Sequence, residues 1–309
     1  MGLLDSLRSA LKSSGGGRID VEGRFHRERT AFTGTMANFF VAKDREHDDR
    51  MVGVKVLDPE KQKLFEDRFK GLKKPSEGEI AMQMKHPKVV QTYEHGVSHR
   101  GEPVIVMEYV AGPSMQNIVV QKQEQHVAGK RLMLIRDMAE ALEYVHGKGF
   151  IHRDICPRNF ICEPEVTGVK LIDFGLTIPD TPPFRVPGNR TGTPLYMSPE
   201  IVRRRATDRR VDVFSFGVTC YCLVAFEHPW QGEILNGRAA LQHDSRPPKD
   251  LLEICPNVDP KLARAIMSSL EPNVDNRTPD MQTFLKQIEK VDAAYTDGPS
   301  PKKAARKPI

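Results

Sequence analysis

The spacing of apolar residues changes character along the chain. Up to about residue 109 they come in short runs rich in β-branched and aromatic side chains, at 39–42, 51–57, 89–93 and 103–109, which predicts strands. Between these runs, 59–70 and 75–85 read as helical, with Pro75 suited to a first helical position and a break near Gly71. From Met115 onward the period lengthens. Leu132, Leu134, Ile135, Met138, Leu142 and Val145 recur at helical spacing over 131–146, and 211–226, 260–270 and 280–295 read as further helices. A small β-rich part followed by a larger helical part predicts an α+β fold in two lobes. The N-lobe spans about 25–108 and the C-lobe about 115–292, with no internal repeat.

The ends differ from the body. Leu3, Leu4, Leu7 and Leu11 lie at helical spacing, followed by Ser-Ser-Gly-Gly-Gly, so residues 1–24 are expected to be an amphipathic and flexible extension. Asp5, Arg8 and Lys12 interrupt any secretory signal core. Residues 298–309 are rich in Pro, Lys and Ala and are expected to be a basic, disordered tail. The longest nearly apolar run, 211–226, carries Asp212 and Ser215. It falls short of the roughly 20 residues a membrane span needs, so it reads as a buried helix.

Composition narrows the function classes. At 309 residues, 39% hydrophobic and 28% charged, the chain is neither disordered, collagen-like nor a small disulfide scaffold. Its five cysteines, an odd number set mostly in apolar stretches, suit a reducing compartment and a cytoplasmic location. Cys220 and Cys222, two apart on one predicted helix, point to different sides and would chelate a metal poorly. The net charge is +5, but Lys302, Lys303, Arg306 and Lys307 of the tail supply most of it. The nearly neutral body carries no nucleic-acid signature, and the tail suits a weak, salt-sensitive contact with an acidic surface.

The chemistry lies in four motifs: Val52-Gly53-Val54-Lys55, Ile151-His152-Arg153-Asp154-Ile155-Cys156-Pro157-Arg158-Asn159, Leu171-Ile172-Asp173-Phe174-Gly175, and Gly192-Thr193-Pro194-Leu195-Tyr196-Met197-Ser198-Pro199-Glu200. In this order and at these separations they resemble the eukaryotic-type protein kinases, with the activation segment of the Ser/Thr branch. A single His-Arg-Asp triplet would mean little; the set covers nearly the whole globular part, so 25–297 is expected to be a kinase domain.

The resemblance implies ATP and Mg²⁺ as cofactors and proteins as substrates. It gives Asp173 and Asn159 as metal ligands, Asp154 as the group that orients the acceptor hydroxyl, and Lys55 as the contact to the α- and β-phosphates. The helix carboxylate that holds Lys55 is expected to be Glu77, nine residues before His86-Pro87. Its competitor Glu79 leads four residues on to polar Gln83, whereas Glu77 leads to Ala81. Met107 stands at the gatekeeper position, and Glu108 to Val110 at the hinge that binds adenine. Asp212 resembles the residue that ties down the catalytic loop, and Glu200 is expected to pair with Arg277. His152 and Phe174 read as packing residues.

Three departures stand out. Of the glycine-rich loop only Gly34 survives; Phe32 and Ala37 hinder close approach to phosphates, and Phe39 replaces the Val that covers adenine. Cys156 replaces the Lys that steadies the γ-phosphate. Arg158 either restores that charge or is a solvated surface residue; as a cation it argues against selection of an upstream Arg in the substrate. Cys156 itself reads as an inert thiol, because Asp154 disfavours its thiolate. Finally, the usual phosphorylated position, three before Gly192, is Asn189. Thr181 and Thr191 remain as acceptors for a phosphate that Arg153 would clasp, while Thr193 is expected to contact Asp154.

Met1 to Ser6 matches an N-myristoylation pattern; an N-terminal helix that packs on the body or makes a weak contact with a membrane surface is an equal alternative to lipidation. The expected activity is transfer of the γ-phosphate of ATP to Ser/Thr. The alternative is a pseudokinase that binds nucleotide or acts as a scaffold. Retention of Asp154 and Asp173 favours activity, and the 192–200 segment argues against a small-molecule kinase.

Overall fold

Six strands of the N-lobe form one sheet in the computed structural model, which describes residues 17–33, 37–188, 190–230, 239–243 and 245–292. They are β1 (Arg18–Ile19), β2 (Phe25–Thr33), β3 (Ala37–Asp44), β4 (Arg50–Leu57), β5 (Thr92–Ser98) and β6 (Pro103–Glu108), in the order β1-β5-β6-β4-β3-β2. All neighbours are antiparallel except β1 and β5. The sequence pattern missed β2, whose polar stretch His26 to Glu28 tolerates solvent because the strand lies at the sheet's edge.

The 89–93 run divides differently than expected. β5 starts at Thr92, while Val90 donates to the Leu171 carbonyl (2.9 Å), so the apolar start of the run anchors in the C-lobe. Residues 17–24, placed by their composition in a flexible extension, dock on the N-lobe instead. Gly96 makes this possible: a Cβ there would lie 2.2 Å from the Gly17 carbonyl oxygen, so only glycine lets β1 approach. Arg24 then forms a two-pronged ion pair with fully buried Asp44 (2.8 and 2.8 Å) and reaches Glu94 (2.7 Å).

Two helices follow β4. The first, α1 (Pro59–Glu66), is capped by Asp58 and runs on as a 3₁₀ turn, Asp67–Phe69. The second, α2 (Glu77–Gln83), starts two residues later than its proline suggested. Ser76 is the N-cap, and Ser76 and Glu79 close a reciprocal capping box that leaves Pro75 outside the helix.

The C-lobe is built on α3 (Met115–Val120), α4 (Arg131–Gly147), α5 (Pro199–Val202), α6 (Arg210–Ala225), α7 (Pro260–Ser269) and α8 (Met281–Gln287), with the short strands β7 (Phe150–Ile151), β8 (Phe160–Cys162) and β9 (Val169–Leu171) between α4 and α5. Every residue from Val211 to Ala225 is buried, so α6 is the lobe's central element. Among the described residues no helix is long and apolar enough to cross a membrane. The helix read at 280–295 ends at Gln287, and the positions from 293 on lie outside the described residues. So do the N-terminal leucines, the basic tail, Gly34 and Asn189.

Candidate active site

The site lies between the lobes and is assembled from elements of both. β4 presents Lys55, α2 presents Glu77 from its first turn, and the stretch after strand β9 (Val169–Leu171) presents Asp173. Lys55 Nζ lies 2.5 Å from Glu77 Oε1 and 2.9 Å from Asp173 Oδ1. Glu79 is engaged in the capping box, so the geometry separates the two candidate carboxylates. Burial alone would depress the Lys55 ammonium, but the charges of Asp173 and Glu77 raise it. Burial and then the Lys55 charge act oppositely on Asp173, and Lys55 with the Gly175 amide hold it down to about 2. Glu77, more deeply buried, is pushed up. One cation is thus shared by two carboxylates, and it holds Asp173 in its ionised form.

Strand β8 (Phe160–Cys162) pairs antiparallel with β9, which sets Asn159 and Asp173 at the same end of that hairpin. Asn159 Nδ2 donates to the Asp154 carbonyl (2.7 Å) and to Asp154 Oδ2 (3.0 Å). Its amide nitrogen is therefore committed and its oxygen is left as a ligand. With the Asp173 carboxylate this is a hard-oxygen donor pair of the kind Mg²⁺ takes.

Asp154 is the most contacted group of the loop. Its Oδ1 accepts from the backbone N (2.9 Å) and Oγ1 (2.7 Å) of Thr193, and its Oδ2 from Arg158 (3.2 Å). Arg158 also donates to Thr193 Oγ1 (3.1 Å) while its side chain stays 57% exposed. It is therefore part of the Asp154 cluster and open to the cleft. Cys156 is buried, 3.6 Å from Thr193 Oγ1; burial, then Asp154, push its thiol up to about 11, which keeps it protonated at neutral pH.

The loop is held from beneath. Asp212 of α6 accepts from the backbone N of His152 (2.7 Å) and of Arg153 (2.7 Å). It also bonds His146 Nε2 (2.9 Å), a partner that sequence reading did not single out. Burial would raise the Asp212 carboxyl, but His146 and these amides keep it low. Arg153 (φ 68°) and Asp173 (φ 67°) both adopt left-handed backbone, strain that surrounding structure must hold and that concentrates at functional sites.

At the nucleotide end, Met107 and Glu108 finish β6. Glu108 accepts from Lys170 Nζ (2.5 Å) and from the Gln91 amide (3.2 Å), tying the hinge to β9. The Val110 backbone makes no hydrogen bond among the described residues. Phe39 packs over Gly53 in the next strand: a Cβ at Gly53 would lie 2.8 Å from the Phe39 ring. The large residue at 39 and the absent side chain at 53 are thus one adjustment, visible only once the strands pair. α2 comes close to β5 for a similar reason, since a Cβ at Gly78 would lie 2.7 Å from His95. Farther out, Glu200 and Arg277 form a buried pair (2.7 and 3.1 Å), not the weak surface bridge that exposure would make it.

Comparison with known proteins agrees with this geometry. The protein kinase domain family model matches residues 25–295. The chain is 30% identical over 254 residues to the serine/threonine-protein kinase pkn3 of Myxococcus xanthus, covering 79% of this chain and 46% of that protein. It is 32% identical over 258 residues to the serine/threonine-protein kinase PknB of Mycolicibacterium smegmatis, covering 79% and 39%. Similarity to the serine/threonine-protein kinase PksC of Streptomyces coelicolor is 29% over 297 residues, covering 92% and 51%. The chain thus spans about half or less of the length of these relatives. With two lobes, the Lys55–Glu77–Asp173 triad and the Asp154 loop on a matching domain, the chain belongs to the protein kinase domain family.

Proposed function

We propose that this protein transfers the γ-phosphate of ATP to serine or threonine hydroxyls of protein substrates. The observation that carries the reading is Lys55 held between Glu77 and Asp173, which fixes a cation where phosphate oxygens must be neutralised. The family uses ATP and a divalent metal in general. Asp173 and the Asn159 oxygen would hold Mg²⁺, which when bound cancels charge on the transferred phosphoryl group. Lys55 binds the α- and β-phosphates, and Gly34 is the glycine of the phosphate-binding loop that the sequence retains. The hinge from Met107 through Glu108 to Val110 receives adenine.

Asp154 orients the acceptor O–H and takes its proton as the new O–P bond forms. The bond from the γ-phosphorus to the β–γ bridging oxygen breaks, and its electron pair leaves with ADP. Arg158, donating to Asp154 and exposed to the cleft, supplies the positive charge that Cys156 cannot. Thr193 positions Asp154 from the activation segment, so a formed segment and an aligned Asp154 go together.

The test is Mg²⁺-dependent incorporation of phosphate from ATP into a generic protein substrate. Wild type should incorporate it, and Asp154→Asn and Lys55→Met should not. Equal silence of all three, with Mg²⁺-ATP still raising the melting temperature, would establish the scaffold reading instead.

A further inference from the structure

Among the described residues the buried apolar side chains form three clusters: one on the N-lobe sheet, one centred on the C-lobe that also takes in Ile80, Ala81 and Met84 of α2, and a third that joins α1 to the activation segment. The third includes Phe65 and Phe69 from α1 and its 3₁₀ turn, Ile178 and Phe184 from the activation segment, and Met197 and Ile201 from the segment's end. Phe65 and Phe69 meet edge to face (5.4 Å), and Phe69 meets Phe184 (5.6 Å). All three rings are at least nine-tenths buried.

Around these rings the segment is bonded at several points. Asp180 donates its amide to the Gly149 carbonyl (2.8 Å) and accepts from Arg185 Nε (2.8 Å); the Gly188 amide reaches the Arg204 carbonyl (3.1 Å). Its hydroxyl residues are poorly placed as switches. Thr177, Thr191 and Ser198 are buried, Thr193 is bonded to Asp154, and Thr181 is the exposed one among the described residues. The residue three before Gly192 is an asparagine.

We propose that Phe65, Phe69 and Phe184 are positioning residues that hold the activation segment in its substrate-accepting arrangement without phosphorylation of that segment. A phosphate orders such a segment by adding charge for arginines to pair with. Apolar burial orders it with no modification. The three rings join the stretch leading into α2, which carries Glu77, to the platform ending at Glu200. The aromatic cluster therefore holds the peptide-binding face, while Lys55 and Glu77 lie outside it.

The inference rests on the kinase reading, so its test uses one readout that needs no catalysis. The full chain is treated with phosphatase and shown by mass spectrometry to carry no phosphate. Amide exchange should then show residues 176–188 protected in wild type, exposed in Phe69→Ala, and protected again in Phe69→Leu, with helix 210–225 unchanged as the folding control. In kinetics, the unphosphorylated wild type should keep its rate within about twofold of a sample preincubated with ATP. Phe69→Ala should raise the KM for a protein substrate about tenfold while the KM for ATP stays within about twofold, a split that general destabilisation does not give. Phe184→Ala should behave alike.

An unprotected segment in unphosphorylated wild type overturns the inference. So does a rate that collapses on phosphatase treatment and returns with phosphate on Thr181. A protected segment in a catalytically silent protein would instead sink the kinase reading and leave the role of the aromatic cluster standing.

Discussion

Single side chains decide whether the chemistry can run. Lys55, Asp154, Asn159 and Asp173 were legible in the sequence because each sits in a short motif whose neighbours fix its backbone. Glu77 was legible only through the apolar residue four positions on; its bond to Lys55 is a contact between elements. Arg158 was left open between catalyst and surface residue. Its bonds to Asp154 and Thr193 set the guanidinium beside the loop's carboxylate, which is the geometry behind the role proposed for it. Arg158→Ala should lower kcat about tenfold, as expected for removing one charge from a phosphoryl-transfer site. Cys156→Lys in that background should recover part of the loss. Steady-state kinetics at saturating ATP is the measurement, and an unchanged kcat in Arg158→Ala would return the residue to the surface.

Between elements, glycines matter where strands or helices meet. Gly53 carries no side chain beneath the Phe39 ring, so β3 and β4 meet there through a matched pair of residues, which the proposed function places over the nucleotide. Adding a methyl group there overpacks the site, an effect that costs about 1–3 kcal/mol. Gly53→Ala should therefore raise the KM for ATP about tenfold, since 1.4 kcal/mol is a factor of ten. Phe39→Val in the same chain should bring it back near wild type. If the double variant is as impaired as the single one, the two positions are not coupled. Sequence reading saw Phe39 as a departure but could not see its compensation, because residues 39 and 53 meet only in a paired sheet.

On the scale of the whole molecule, buried charges tie distant parts together. The Glu200–Arg277 pair joins the end of the activation segment to the turn before α8, and Arg277 also donates to the carbonyls of Glu271 (2.8 Å) and Arg210 (2.8 Å). Arg277→Met leaves Glu200 buried and unpaired, which should cost about 3–5 kcal/mol in urea unfolding. Glu200→Gln added to it should return part of that loss; no return would mean that the carbonyl contacts, not the ion pair, carry the stability. What the sequence determined by itself was the change from strand to helix period, hence two lobes, and the order of motifs, hence the chemistry. Both are set by residues close together along the chain. The tertiary structure decided the docking of residues 17–24 on β5, the split of the 89–93 run between lobes, the match of Phe39 to Gly53, and the aromatic cluster around Phe69. Each depends on which surfaces meet across long stretches of chain. Local periodicity can say that a residue will be buried; only packing says against what.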